Sequence, residues 1–234
     1  MQSSINVDAR ETDKFSALAA SWWDPKGSMH TLHEVNPLRT EWIAGSCELR
    51  GRSVLDIGCG GGVLAESLTR LGARVSGVDM SQELLGIARL HAREQGLDID
   101  YRYISAEQLA AEQPAAFDIV TCLEVLEHVP RADKLVATSA HLLKEGGHAF
   151  YATIDRSLRG LLFVIFGAEY ILRILPMGTH HFGGLVRPKQ LKEWGEQSGL
   201  KFAGMIHVAY NLLTRKFSLT ERREPTYLMH LVKK

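Results

Sequence analysis

The feature that most constrains this chain is Asp56-Ile57-Gly58-Cys59-Gly60-Gly61-Gly62, a glycine cluster set between an apolar run and a helical pattern. Ser53–Ile57 reads as a short buried strand, and Val63, Leu64, Leu68 and Leu71 then fall at helical spacing. Glycines at such a junction adopt left-handed angles and let a ligand approach the main chain closely. Strand, glycine loop and helix in direct succession open a doubly wound α/β sheet, whose ligand crevice lies at the carboxyl ends of the strands.

The pattern continues in the same sense. Residues 73–78 read as a second strand, Ser81 as the N-cap of a helix to Gln95 stopped by Gly96, and 100–104 and 117–123 as two more buried strands. Residues 135–143 read as a helix, and Gly146-Gly147 turns the chain into a fifth strand at 148–154. Parallel strands need helical crossovers, so the sheet is covered on both faces. Beyond 154 come an apolar, arginine-flanked segment at 156–177, a helix at 189–198 and strand-like runs at 201–210 and 226–232, the latter pair suggesting one antiparallel edge strand. Near the start, Phe15, Leu18, Ala19 and Trp22 share a helical face that Asp24-Pro25 ends, and this face must dock on something apolar. No repeat or long linker divides the 234 residues. The reading is one domain: an N-terminal helical cap (1–50), a cofactor-binding core (51–154), an apolar insertion or lid after the fifth strand (155–185) and a C-terminal helix with strands (186–234).

Composition narrows the function. Lysine plus arginine and aspartate plus glutamate are 27 each, so no long-range positive field marks a nucleic-acid binder. Cys47, Cys59 and Cys122 have neither a disulfide framework nor zinc-site spacing. No basic segment leads into an apolar run at the N-terminus, and the apolar stretch near 160–168 is too short to span a bilayer, so a cytoplasmic location is expected.

Asp79 follows Gly58 by twenty-one residues, where a carboxylate accepts hydrogen bonds from the two hydroxyls of a ribose. Asp56 in front of Gly58-x-Gly60-x-Gly62 would repel a pyrophosphate and suits the cationic end of a methionine-derived ligand, which favours S-adenosylmethionine over a nicotinamide or flavin nucleotide. The plain alternative is a set of turn glycines. In Ser105-Ala106-Glu107 the small Ala106 gives room for an adenine ring, or the triplet is only a helix cap with Glu107 as a first-turn acid. Leu123 either packs on the adenosine or is an ordinary core leucine.

Trp22-Trp23-Asp24, Asn36-Pro37-Leu38-Arg39, the segments 55–62, 77–80 and 121–130, and Gly167-Ala168-Glu169-Tyr170-Ile171-Leu172-Arg173 together resemble the ubiquinone biosynthesis O-methyltransferase family. The glycine loop alone would indicate a Rossmann-like class I methyltransferase; the Asn-Pro-Leu-Arg and Gly-Ala-Glu-Tyr-Ile-Leu-Arg segments are narrower. The resemblance implies O-methylation of polyprenylated catechol-type intermediates, demethylubiquinol included, at two steps of ubiquinone synthesis; the sequence leaves open whether the chain works alone or with other ubiquinone-biosynthesis enzymes. It implies S-adenosylmethionine contacts at Arg39, Gly58, Asp79 and Leu123, with Gly60 and Ala106 in the same crevice. Arg39 can fork onto a methionine carboxylate or serve as a surface salt bridge. Leu123 stands where relatives often carry methionine, a swap of similar volume.

Methyl transfer to a phenol requires that its proton leave. Glu124, Glu127 and His128 follow the fourth strand, at the edge where an acceptor lies. They read as ligands of Mg²⁺, as a metal-free site with His128 as general base, or as packing; His180 and His181 are reserve candidates. Residues 161–166, flanked by Arg156, Arg159 and Arg173, read either as an interfacial element for an anionic membrane or as a buried lid. A polyprenyl acceptor partitions into lipid, so reversible peripheral membrane contact is expected. A noncatalytic S-adenosylmethionine-binding scaffold would keep the glycine loop and Asp79 but need no acceptor chemistry.

Overall fold

The computed structural model describes residues 6–27, 29–157 and 185–234. The readings placed on 161–166, on the 167–173 motif and on His180 and His181 fall outside them. The described residues form an eight-stranded sheet: β1 (Ser53–Ile57), β2 (Arg74–Asp79), β3 (Asp100–Tyr103), β4 (Phe117–Leu123), β5 (Leu143–Ile154), β6 (Leu200–Asn211), β7 (Lys216–Thr220) and β8 (Thr226–Lys233). Their order is β3-β2-β1-β4-β5-β8-β6-β7, with β1 to β5 parallel.

The doubly wound class is the expected one, and the antiparallel part is richer than one edge strand. β8 pairs antiparallel with both β5 and β6 and is interior, while β7, which the sequence reading passed over, takes the edge against β6. Burial explains the order. Tyr227, Leu228, Met229, His230 and Leu231 are all buried, as a strand flanked on both sides and both faces must be, whereas Lys216–Thr220 stays half-exposed.

The helices are α1 (Ala9–Ser16), α2 (His30–Ser46), α3 (Val63–Arg70), α4 (Gln82–Glu94), α5 (Ala106–Glu112), α6 (Ala132–Leu142) and α7 (Pro188–Gln197). Strand residues alternate between two cores. Val54, Ile119 and Phe150 meet Ile43, Leu64, Leu68 and Leu85 on the α2–α4 side; Leu55, Val120 and Tyr151 meet Leu109, Leu135 and Leu191 on the α5–α7 side. Truncating any of these buried leucines to alanine costs about 2–5 kcal/mol.

The expected single helix over Phe15 to Trp22 is broken: α1 ends at Ser16 and a 3₁₀ turn at Ala19–Ser21 follows. The bend presents Trp22 to Val63 and Leu84, with Phe15, Leu18 and Ala19 packed against them. The N-terminal segment therefore docks on the starts of α3 and α4, directly over the glycine loop. α2 carries Pro37 in its interior, which removes one helical hydrogen bond. One residue earlier, the buried Asn36 donates to Ser67 Oγ at 2.8 Å and pins α2 to α3, so Arg39, one turn on, is aimed at the sheet's carboxyl edge.

Candidate active site

The carboxyl ends of the central strands open into a cleft of about 460 Å³, within the range of small-molecule sites. One wall is the glycine loop with Asp56, Asp79, Ala106 and Leu123; the other comprises residues of the N-terminal segment and α2, including Glu11, Phe15, Trp22 and Arg39.

The loop wall is rigidly organised. Gly58 has φ +68° and Gly60 φ +52°. A side chain at Gly60 would carry that left-handed strain and place a Cβ 2.6 Å from Trp22 Cζ2. Asp79 accepts from Gly60 N–H and Ser81 N–H, both at 2.8 Å, through different oxygens. Burial raises its carboxyl pKa, and these backbone donors pull it back. Each oxygen keeps a lone pair for a ribose hydroxyl. Asp56 lies opposite Thr121 in the β1–β4 register and accepts from its hydroxyl at 2.7 Å. Burial pushes the Asp56 carboxyl up to about 7, so a neighbouring cation would draw it toward the ionised form. In the sequence Thr121 is one of two polar residues, with Asp118, in an otherwise apolar strand. Ser105 does cap α5, sharing a capping box with Gln108, and Ala106 is buried at the cleft wall as expected.

The opposite wall is tied by side chains. Trp23 Nε1 donates to Gly61 O at 2.9 Å, and its ring stacks on His91 at 3.5 Å. Asn6 exchanges two hydrogen bonds with the backbone of Arg131, and Ser16 meets Ser81 at 2.7 Å. Arg39 is buried rather than on the surface, and its Nη2 pairs with Glu124, whose backbone has φ +56°. Arg39 Nε and Glu107 Oε1 are among the buried polar atoms of the cleft residues that have no hydrogen-bond partner. A donor and an acceptor held open in this way fit an amino-acid nucleoside such as S-adenosylmethionine.

Glu124, Glu127 and His128 line the cleft together, and each also has a partner on another element. Glu124 is held by the Arg39 cation. Glu127 is half-buried and accepts from Thr153 Oγ1 at 2.8 Å, and desolvation together with the neighbouring Glu124 raises its pKa. His128 Nδ1 meets Glu11 Oε2 at 2.9 Å. A hard divalent cation needs several ionised oxygen ligands in one shell, and among the described residues no group of three His, Cys, Asp or Glu side chains is placed to hold one. Glu11 and His128 make a carboxylate–imidazole pair. Burial lowers the His128 pKa against the pull of Glu11, so the ring is neutral at pH 7. Against the upward push of burial, Lys14 and His128 hold Glu11 below the ordinary carboxylate range. Glu11, 117 residues distant in the chain, carried no sequence signal.

A methyltransferase domain family matches residues 55–151. The chain is 49% identical over 228 residues to the ubiquinone biosynthesis O-methyltransferase of Bordetella avium, covering 96% of this chain and 94% of the relative. The chain belongs to the ubiquinone biosynthesis O-methyltransferase family. The corresponding enzyme of an Azoarcus species is 45% identical over 96% of this chain and 97% of its own length. Magnesium protoporphyrin IX methyltransferase from Synechocystis PCC 6803, solved with bound SAH, shares the fold at a TM-score of 0.68 and 18% identity over 97% of this chain and 95% of that one. As a member of the ubiquinone biosynthesis O-methyltransferase family, the chain is an S-adenosylmethionine-dependent O-methyltransferase. Among the described residues no helix is long and apolar enough to cross a membrane.

Proposed function

We propose that this enzyme methylates ring hydroxyls of polyprenylated catechol-type intermediates, demethylubiquinol among them, serving both O-methylation steps of ubiquinone synthesis from one cleft. The observation that carries the reading is the Glu11–His128 pair in the wall of a cleft whose opposite wall is the glycine loop with Asp79. When bound, S-adenosylmethionine supplies an electrophilic methyl group on a sulfonium. Asp79 accepts from the ribose hydroxyls, Gly58 and Gly60 let the main chain approach, and Ala106 and Leu123 pack on the adenosine. The unpartnered Nε of Arg39 offers one tine of a guanidinium fork to the methionine carboxylate, and Asp56 faces the ammonium.

At the acceptor, His128 takes the phenolic proton. A phenol of pKa about 10 is neutral at pH 7, and a neutral imidazole held by a carboxylate is a suitable base. Glu11 is a positioning residue: it fixes the ring through Nδ1 and stabilises the imidazolium that forms. Ile154, Val208, Phe217 and Thr226 supply an apolar end to the cleft for the ring and the start of its chain.

The test is methyl transfer from labelled S-adenosylmethionine to a short-chain prenyl catechol. Transfer that His128→Gln removes while cofactor affinity persists supports the reading. Cofactor binding without transfer to any catechol would favour a noncatalytic S-adenosylmethionine-binding role, and activity abolished by EDTA and restored by magnesium would overturn the assignment of proton removal to His128 alone.

A further inference from the structure

Both indoles of the Trp22-Trp23-Asp24 motif meet the glycine loop, and neither takes part in the proton transfer at His128. Gly58, Gly60 and Gly62 have left-handed backbone, at φ +68°, +52° and +90°, and Gly61 between them does not. Glycine at 61 answers to Trp22 instead. A Cβ there would stand 2.6 Å from Trp22 Nε1 and 2.7 Å from Trp22 Cγ, atoms of a rigid ring, so the indole lies across Gly60 and Gly61 together.

Trp23 holds the same stretch from outside the cleft. Its Nε1 donates to Gly61 O at 2.9 Å, and neither Trp23 nor Gly61 is among the residues that line the cleft. One residue earlier, Gly60 N–H donates to Asp79 Oδ2 at 2.8 Å. The Gly60–Gly61 pair is thus tied at its N–H by the carboxylate of the cleft and at its C=O by the indole. Three successive glycines have no side chains to restrict their own dihedrals, so such ties set the shape of the loop. The Trp23 ring is itself fixed: it stacks on His91 at 3.5 Å and 8°, and tilts against His33 at 5.4 Å. His91 Nδ1 donates to Glu66 Oε1 at 2.6 Å, and the fully buried Glu66 also accepts from Arg70 at 3.0 Å. His33 Nε2 donates to Trp22 O at 2.8 Å. The two indoles therefore rest on α2, α3 and α4 at once.

We propose that Trp23 is a positioning residue for the cofactor: its indole N–H, holding Gly61 O from outside the cleft, keeps the loop in the shape in which Gly60 N–H orients the Asp79 carboxylate toward the ribose. The proposal rests on the assignment of Asp79 to the ribose hydroxyls in the preceding subsection. Trp23 lines no part of the cleft, so its effect falls on cofactor affinity and not on the proton transfer at His128. Without the bond Gly61 regains the torsional freedom of a glycine, and the loop must then be ordered when the cofactor binds. Phenylalanine at this position keeps an aromatic ring for His91 and loses the one hydrogen bond, which separates the N–H from the packing.

The experiment is calorimetric titration of the full chain with S-adenosylhomocysteine, and steady-state methyl transfer from S-adenosylmethionine to a short-chain prenyl catechol, for the wild type, Trp23→Phe, Asp79→Ala and the double variant. Trp23→Phe should weaken the affinity and raise the KM for S-adenosylmethionine about two- to twelvefold, the weight of one hydrogen bond, with kcat at saturating cofactor within about twofold of the wild type. On top of Asp79→Ala, where Gly60 N–H has lost its partner, the same substitution should cost less than about twofold. Unchanged affinity in Trp23→Phe, a fall in kcat as large as the loss of affinity, or the full loss repeated on top of Asp79→Ala would each overturn the proposal. So would unchanged affinity in Asp79→Ala, which removes the ribose assignment as well; a loss there with none in Trp23→Phe removes the positioning role alone. Gly61→Ala, which the backbone angle admits and the Trp22 ring does not, should lower the affinity in the same sense, and wild-type affinity in that variant would also overturn the proposal. The calorimetric comparison stands whichever acceptor the enzyme methylates.

Discussion

The glycine-loop wall of the cleft and the wall contributed by the N-terminal segment are held by different kinds of contact. In the first, Asp79 and Asp56 meet backbone N–H groups and a register partner on neighbouring strands, so the geometry comes with the sheet itself. In the second, Trp23 to Gly61, Asn6 to Arg131, Ser16 to Ser81 and Glu11 to His128 join residues distant in sequence through side chains. Contacts of the second kind can be broken and remade without disturbing the sheet. The difference teaches a division of labour within the proposed function: the sheet holds the groups assigned to the cofactor, and the N-terminal segment brings Glu11 to His128. Lone polar contacts of this sort contribute only about 0.5–1.5 kcal/mol each.

The comparison is broken most sharply at His128. His128→Gln should lower kcat by about 10²- to 10⁴-fold, the usual weight of a general base, with S-adenosylhomocysteine affinity unchanged by calorimetry. A parallel loss of affinity would show that the two walls are not separable. Asp79→Ala should do the reverse, weakening S-adenosylhomocysteine binding by roughly 1.5–3 kcal/mol, about 10- to 150-fold, through lost charge-assisted hydrogen bonds. Unchanged affinity would remove Asp79 from the ribose site.

Glu11→Gln sharpens the comparison from the other wall. With the carboxylate gone, nothing of Glu11 offsets the burial that already lowers the His128 pKa, so the acid limb of the kcat/KM profile should move to lower pH while kcat falls about tenfold. A merely structural contact would lower the rate and leave the limb in place. The smallest effect is a pH dependence of binding. The Asp56 carboxyl titrates at about 7 in the free protein, and burial raises Asp79 in the same direction. A cationic cofactor prefers the ionised form, so binding releases a proton and affinity rises with pH, by at most about tenfold per unit below 7, levelling above it. Asp56→Asn should flatten this slope in titrations between about pH 5.5 and 8.5.

The sheet side of the site was legible in the sequence because its signals are local. Asp56, the glycines and Asp79 sit at fixed offsets along one strand–loop–helix–strand unit, and β1 and β4 have the bounds that their apolar runs suggest. The rest depends on distant pairing. β7 is short and half-exposed, so no apolar run announced it, and the insertion of β8 between β5 and β6 is a topological choice that local pattern does not encode. Glu11 reads as a first-turn acid of α1, and only the bend at Ala19–Ser21, which folds the segment back over the loop, turns it toward His128. Spacing puts Glu124, Glu127 and His128 within one short stretch, while their partners Arg39, Thr153 and Glu11 come from three other elements and so carried no local signal.

The most direct measurement is a single-turnover assay of methyl transfer from labelled S-adenosylmethionine to a short-chain prenyl catechol, run on the wild type and on His128→Gln with S-adenosylhomocysteine affinity measured on the same samples. Transfer by the wild type, at least about a hundredfold slower in the variant, with equal affinities, is the predicted result. A variant that transfers at the wild-type rate, or a wild type that binds the cofactor and methylates no catechol, would contradict it.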